Sequence, residues 1–200
     1  MAGDKLGVAS SVEGIEWDAA GALSLAGRFF DLIVVRRSSS VSEDNQQDIS
    51  SECLRASGRP VLIVPQEGSV RPTIGKRILL AWNGSREAAL ALQAGYPFLT
   101  TADHVTVALS ETASKYAKVE TLKSLDVEDL LKVHGLNYEI AEKRIPDAGA
   151  GADIVALAEA TESDMIVMGS FGRSWLRNWA LGSATSAAQA GARVPILTQH

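Results

Sequence analysis

The stretch Asp164-Met-Ile-Val-Met-Gly-Ser-Phe-Gly172, followed nine residues later by Gly182-Ser183, decides the fold. Met165 to Met168 is short and apolar, which suits a strand better than a buried helix. Glycines at the carboxyl end of a parallel strand let the backbone approach a ligand, and their N–H groups can form an anion-binding nest. Gly182-Ser183 opens a helix, whose N-terminus adds free donors and partial positive charge. Arg173 and Arg177 lie between, where guanidinium groups can pair bidentately with phosphates. The spacing G-x2-G-x9-G-S therefore outlines a nucleotide-phosphate cradle. The plainer reading is tight turns, an N-cap serine and solvated arginines.

Outward from this stretch, Arg77 to Gln199 alternates short apolar runs with amphipathic segments, the pattern of a parallel sheet covered by helices. Strands are predicted at Ile78–Trp82, Val105–Leu109, Tyr138–Ile140, Met165–Met168 and Pro195–Leu197. Helices are predicted at Ser85–Phe98, Val119–His134, Ala150–Thr161 and Ser183–Ala190. The fold class is α/β, with a five-stranded parallel sheet and helices on both faces.

The same grammar precedes residue 70: a strand at Gly14–Trp17, a helix at Ala19–Phe30, a strand at Leu32–Val35, a helix at Asn45–Ala56 and a strand at Val61–Val64. Asp31-Leu-Ile-Val-Val35 matches Asp164-Met-Ile-Val-Met168 at an offset of 133, and Pro60-Val-Leu62 matches Pro195-Ile-Leu197 at 135, so the segments read as an internal repeat. Projected backward, the first copy would start before Met1, so it is expected to be shortened from the front. Its fourth and fifth strands keep each other as partners, and its exposed strand edges would recruit others. Residues 1–66 are taken as a half domain without a nucleotide motif, since Arg36-Arg-Ser-Ser-Ser40 follows its fourth strand. Residues 67–75, polar and rich in Gly and Pro, are taken as a linker, and 76–200 as the complete domain.

On these motifs the chain resembles the universal stress protein family, in its ATP-binding, tandem form. The resemblance covers Arg77 to Gln199 and implies a strand order of 3-2-1-4-5, with an adenine nucleotide over the carboxyl ends of the central strands. It implies Gly169, Gly172, Gly182 and Ser183 at the phosphates and ribose. Met168 and Ala184 would line the site, with Arg173 and, at the end of the first strand, Ala81 and Asn83 beside them. That strand usually ends in Asp-Gly-Ser, whereas here it reads Ala81-Trp82-Asn83-Gly84-Ser85. Asn keeps hydrogen-bonding capacity but lacks the charge that would help hold Mg²⁺, which weighs against metal-assisted hydrolysis. Trp82 stands where it would either stack on an adenine or crowd it. The resemblance further implies ATP as ligand, a homodimer through the last strand, and a regulatory or sensing role in the cytoplasm. A nucleotide-free interaction module that binds a protein partner, and a slow Mg²⁺-dependent ATP hydrolase, are the rival readings.

Composition narrows the field. Two hundred residues with 46% hydrophobic and 22% charged content make a folding chain, and a net charge of −5 gives no field for nucleic acid. The chain opens without a signal-peptide pattern and holds no run long enough to span a membrane, so a cytoplasmic protein is expected. The lone Cys53 excludes an intrachain disulfide, and His104, His134 and His200 are too scattered for a metal site. Gly75-Lys76 precedes a strand instead of opening a helix and is no P-loop; Gly149-Ala-Gly151 lacks the third glycine of a dinucleotide fingerprint. Asn83-Gly-Ser85 spells a glycosylation sequon without any sign of secretion, and Arg36-Arg37 is too short a run for nucleic acid. Trp175 and Trp179 read as an apolar patch. No nucleophile stands with a base, so no catalytic residue is assigned.

Overall fold

The computed structural model describes residues 9, 14, 18–37, 49–67, 69–111, 126–146, 150–170 and 192–200. Within them the order is α1 (Ala19–Gly27), β1 (Ile33–Arg36), α2 (Ile49–Ala56), β2 (Val61–Val64), β3 (Arg77–Trp82), α3 (Arg86–Leu99), β4 (His104–Leu109), α4 (Val127–Val133), β5 (Tyr138–Ile140), α5 (Ala150–Ala160), β6 (Met165–Gly169) and β7 (Ile196–Gln199). The expected strand at Gly14–Trp17 and helix at Ser183–Ala190 fall outside the described residues, apart from Gly14 itself.

The fold is α/β, but the sheet is larger than five strands and not wholly parallel. Seven strands run β1-β2-β7-β6-β3-β4-β5. Read from β5 to β7, residues 77–199 keep the 3-2-1-4-5 order, every pair parallel. The sheet then continues into the first copy, because β2 pairs antiparallel with β7 and parallel with β1. In that antiparallel register Leu62 stands opposite Leu197, the residue that the sequence match aligns with it. β7 is therefore an interior strand. The edge that the resemblance assigns to a homodimer is filled by β2 of the same chain.

Alternating side chains divide the core between the two faces. On one face Ile78, Leu80, Val105, Val107, Met165, Val167 and Leu197 pack against Ala91, Leu92 and Leu99 of α3 and Val127 and Leu131 of α4. On the other, Leu79, Ala108, Ile166, Met168 and Ile196 pack against Ala150, Ile154 and Ala158 of α5. The first copy continues that second face, with Ile33, Val35, Val61 and Ile63 under Cys53 and Leu54 of α2. The α3 helix lies close to the sheet because Gly95 faces Val167, whose Cγ1 would be 3.1 Å from an added Cβ. It starts where Ser85 Oγ accepts the Ala88 N–H at 3.1 Å, an N-cap satisfying one orphan donor.

The junction before β3 is held by one carboxylate. Asp164 is 2% exposed; it accepts from Thr73 Oγ1 at 2.6 Å and from the backbone N–H groups of Gly75 at 2.9 Å, Lys76 at 3.0 Å and Arg77 at 3.1 Å. Gly75 has φ +79, which brings successive N–H groups toward one anion, and here that anion is a side chain of the protein itself. Asp164 immediately precedes β6, so this clamp ties the start of that strand to the turn before β3.

Candidate functional site

The parallel strands offer one crevice set by topology. From β3 the chain crosses to β4 on one side, and β6 lies on the other, so the switch point is between the carboxyl ends of β3 and β6, where ligands of open α/β sheets bind. The register places Ala81 beside Met168 there. Asn83 follows two residues after Ala81, and Gly169 one after Met168. Four of the sequence-predicted residues are thus brought together. Gly172, Arg173, Gly182, Ser183 and Ala184 lie outside the described residues, as do Arg177, Trp175 and Trp179.

The two sides of the crevice differ chemically. Ala81 packs with Met168 on the α5 side, an apolar wall with little relief. Trp82, pointing the other way, is half-buried against the α3-side core. Gly169 is required by a close approach, but the approaching group is polypeptide: an added Cβ would stand 2.5 Å from both Ala88 N and Glu87 C in the first turn of α3. The β3–α3 connection is self-contained. Asn83 Oδ1 accepts the Ser85 N–H at 3.0 Å and Gly84 takes φ +73, which a side chain would disfavour.

Two further features of this edge went unnoticed in the sequence. Ser170, inside the glycine motif, is fully buried; its N–H donates to the Gln199 carbonyl at 2.9 Å while its hydroxyl has no hydrogen-bond partner among the described residues. An orphan hydroxyl next to Gly169 suits a polar ligand, since leaving it unpaired costs about 1–3 kcal/mol. Arg144 donates from a guanidinium nitrogen to the Ser110 carbonyl at 3.3 Å, and Ser110 N–H donates to the Trp82 carbonyl at 2.9 Å, so a cation stands one strand from the crevice. Ser170 lay inside the quoted motif, whereas Arg144 had no signal beyond its charge.

A Mg²⁺ ion does not fit the described part of the site. The Asn83 oxygen is already an acceptor within its own turn, and among the described residues no group of three His, Cys, Asp or Glu side chains is placed to hold a metal. Charge tuning is found elsewhere in the sheet. His104 Nε2 lies 3.2 Å from Glu139 Oε1, and chiefly this hydrogen bond, with a second from Thr106 Oγ1 at 3.3 Å, holds the Glu139 carboxyl below its usual range. Burial, then a hydrogen bond to Glu128, raises the Tyr138 phenol, and burial alone raises that of Tyr96, whose ring centroid lies 4.0 Å from that of His134. No described helix is long and apolar enough to cross a membrane.

The same fold recurs in solved structures. A universal stress protein from Archaeoglobus fulgidus DSM 4304 superposes with a TM-score of 0.69 at 20% identity, over 97% of this chain and 70% of that one. A putative universal stress protein from Pseudomonas aeruginosa UCBPP-PA14 gives a TM-score of 0.52 at 18% identity, over 98% of this chain and 74% of the other. At such identities the likeness is one of fold. No curated protein sequence matches the chain. The sequence profile of the universal stress protein family matches residues 75–199, covering all five strands of the complete copy and the crevice between β3 and β6, and the chain belongs to that family.

Proposed function

We propose that the crevice at the carboxyl ends of β3 and β6 binds ATP or a related adenine nucleotide, and that the protein is a cytoplasmic regulator or sensor of the stress type. The observation that carries this reading is the joining of motif and place. Gly169 and Gly172, nine residues and Gly182-Ser183 begin at the end of the strand that borders the switch point, with Ala81, Asn83 and Met168 alongside. In this reading the backbone N–H groups of Gly172 and Gly182, with Ser183 and Arg173, hold the phosphates. Met168, Ala81 and Ala184 contact the apolar part of the nucleotide, and Ser170 supplies a hydrogen bond. Residues 76–200 form the nucleotide-binding unit and 67–75 the linker, while residues 1–66 extend the sheet and carry no second site.

A specific observation favours one rival, a nucleotide-free interaction module. Asn83 is engaged with Ser85, and Gly169 is packed against α3, so two of the motif's neighbours have structural employment of their own. Calorimetric titration of the nucleotide-stripped chain with ATP, with and without Mg²⁺, separates the readings. Saturable binding at one site per chain, little changed by chelator and lost in Gly182→Val, is the expected result. No binding up to about millimolar ATP, weaker than roughly −4 kcal/mol, would overturn the nucleotide reading in favour of the module. Turnover that needs Mg²⁺ would establish the slow hydrolase.

A further inference from the structure

Strand β2 runs antiparallel to β7, whereas β7, β6 and β3 are parallel, so the amino end of β2 lies at the same end of the sheet as the crevice. The Ser170 N–H bond to the Gln199 carbonyl carries the β6–β7 ladder one step further and sets Ser170 beside His200. Continued two residues past Val61 and Thr198, the β2–β7 register sets Arg59 on the other side of His200. Alternation from Met168 and from Val61 turns Ser170 and Arg59 to one face, that of α5 and α2. The Ser170 hydroxyl is fully buried and has no hydrogen-bond partner among the described residues. Arg59 is half-buried, and its Nη2 donates to the carbonyl of Arg28, the C-cap of α1, at 2.8 Å. Its Nε and Nη1 have no partner among the described residues, so most of a five-donor fork is unused.

We propose that Arg59 and the Ser170 hydroxyl form a subsite for the outermost phosphate of a nucleoside triphosphate held at the crevice. The inference rests on the nucleotide reading above, and it gives the segment before residue 66 a part in the site of residues 76–200. Two strand spacings, about 10 Å, separate the backbones of Ser170 and Arg59. A long arginine side chain, together with a phosphate whose oxygens lie about 2.8 Å from each donor, spans that gap. His200, between them, is exposed and borders the subsite without filling it. The chemistry suits a phosphate: a planar guanidinium pairs with two of its oxygens, and a hydroxyl with no other partner donates to a third. The anchoring bond to Arg28 holds the guanidinium in place before the ligand arrives, so less side-chain freedom is lost on binding. AMP has no outer phosphate to reach the subsite, so Arg59 sets a preference for ATP over AMP. The plainer role for Arg59, a cap on the end of α1, affects stability and leaves that preference alone.

Calorimetric titration of the full chain and of two variants, each with ATP and with AMP, tests this. The unaltered chain should bind ATP at least about tenfold more tightly than AMP. Arg59→Gln should weaken ATP about tenfold and change AMP by less than about twofold, with the circular dichroism spectrum unchanged. Ser170→Ala, which removes the other half of the subsite, should narrow the ATP preference about threefold. An ATP-to-AMP ratio that stays the same in either variant, or ATP and AMP weakened alike by Arg59→Gln, would overturn the subsite and leave the nucleotide reading standing. An unaltered chain that binds neither nucleotide would overturn both.

Discussion

Strands β1 and β6, which the sequence likeness of Asp31–Val35 to Asp164–Met168 aligns, share an Ile-Val pair, and their surroundings make them different objects. Val167 is 0% exposed and Val34, its counterpart, 58%. Strand β6 lies between β3 and β7 with α3 on its face, whereas among the described residues β1 has only β2 beside it. Gly169 lets the first turn of α3 close over the end of β6; its counterpart is Arg36, whose side chain would occupy that space. Local sequence makes a strand in both copies, and the flanking elements decide whether it is core or edge.

The largest expected difference concerns the acids that open the two strands. Asp164 is buried with one hydroxyl and three backbone N–H groups donating to it, while Asp31 is exposed. Asp164→Ala leaves those donors unsatisfied and is expected to cost about 3–5 kcal/mol, whereas Asp31→Ala stays within about 0.5 kcal/mol. Urea unfolding of both variants measures the gap, and equal effects would mean that the clamp contributes nothing. Next in size is Val167→Ala against Val34→Ala. Truncation beneath α3 is expected to cost about 2 kcal/mol through lost burial and a cavity, and truncation on the open face close to nothing. If both lose stability alike, something covers Val34 in solution.

The comparison also marks what was legible in the sequence. Runs such as Ile78–Trp82 and Met165–Met168 fix strands by composition, and with the family's strand order the meeting of Ala81 with Met168 follows. Partners at the sheet's outer side do not follow, because period and composition say that Val61–Val64 is a strand but not which edge it joins. Hence the β2–β7 junction, with Leu62 opposite Leu197, is set by tertiary pairing that the local sequence does not encode. The Asp164 clamp was hidden for a related reason. Its donors, Thr73 to Arg77, lie 87 to 91 residues away in sequence, and their turn looks like any polar linker.

A smaller effect of opposite sign separates the fifth strands. Thr198 on β7 is fully buried and its hydroxyl has no hydrogen-bond partner among the described residues, while the sequence match aligns it with Ile63 on β2. Thr198→Val keeps the shape and removes the orphan hydroxyl, so a gain of about 1 kcal/mol is expected. A loss in the apo protein would show that the hydroxyl bonds a buried water.

The smallest effect belongs to a pair on β4 and β5. Glu139 on β5 is held below its usual carboxylate range, first by the hydrogen bond from His104 on β4 and further by that from Thr106. A carboxyl lowered in the folded state adds stability that is fully present above its unfolded value, near 4.5, and that fades as pH falls through the lowered folded value. The Glu139 contribution to stability should therefore be full and independent of pH at neutrality and be lost as pH falls below about 4.5. With the Glu139 side chain 58% exposed, solvent screens the pair and the effect is slight, so the Glu139 chemical shift is the better probe. His104→Gln removes the largest cause and should move the Glu139 midpoint upward, while Thr106→Val, removing a weaker one, moves it less. An unmoved midpoint in His104→Gln would mean that the imidazole does not hold the carboxylate.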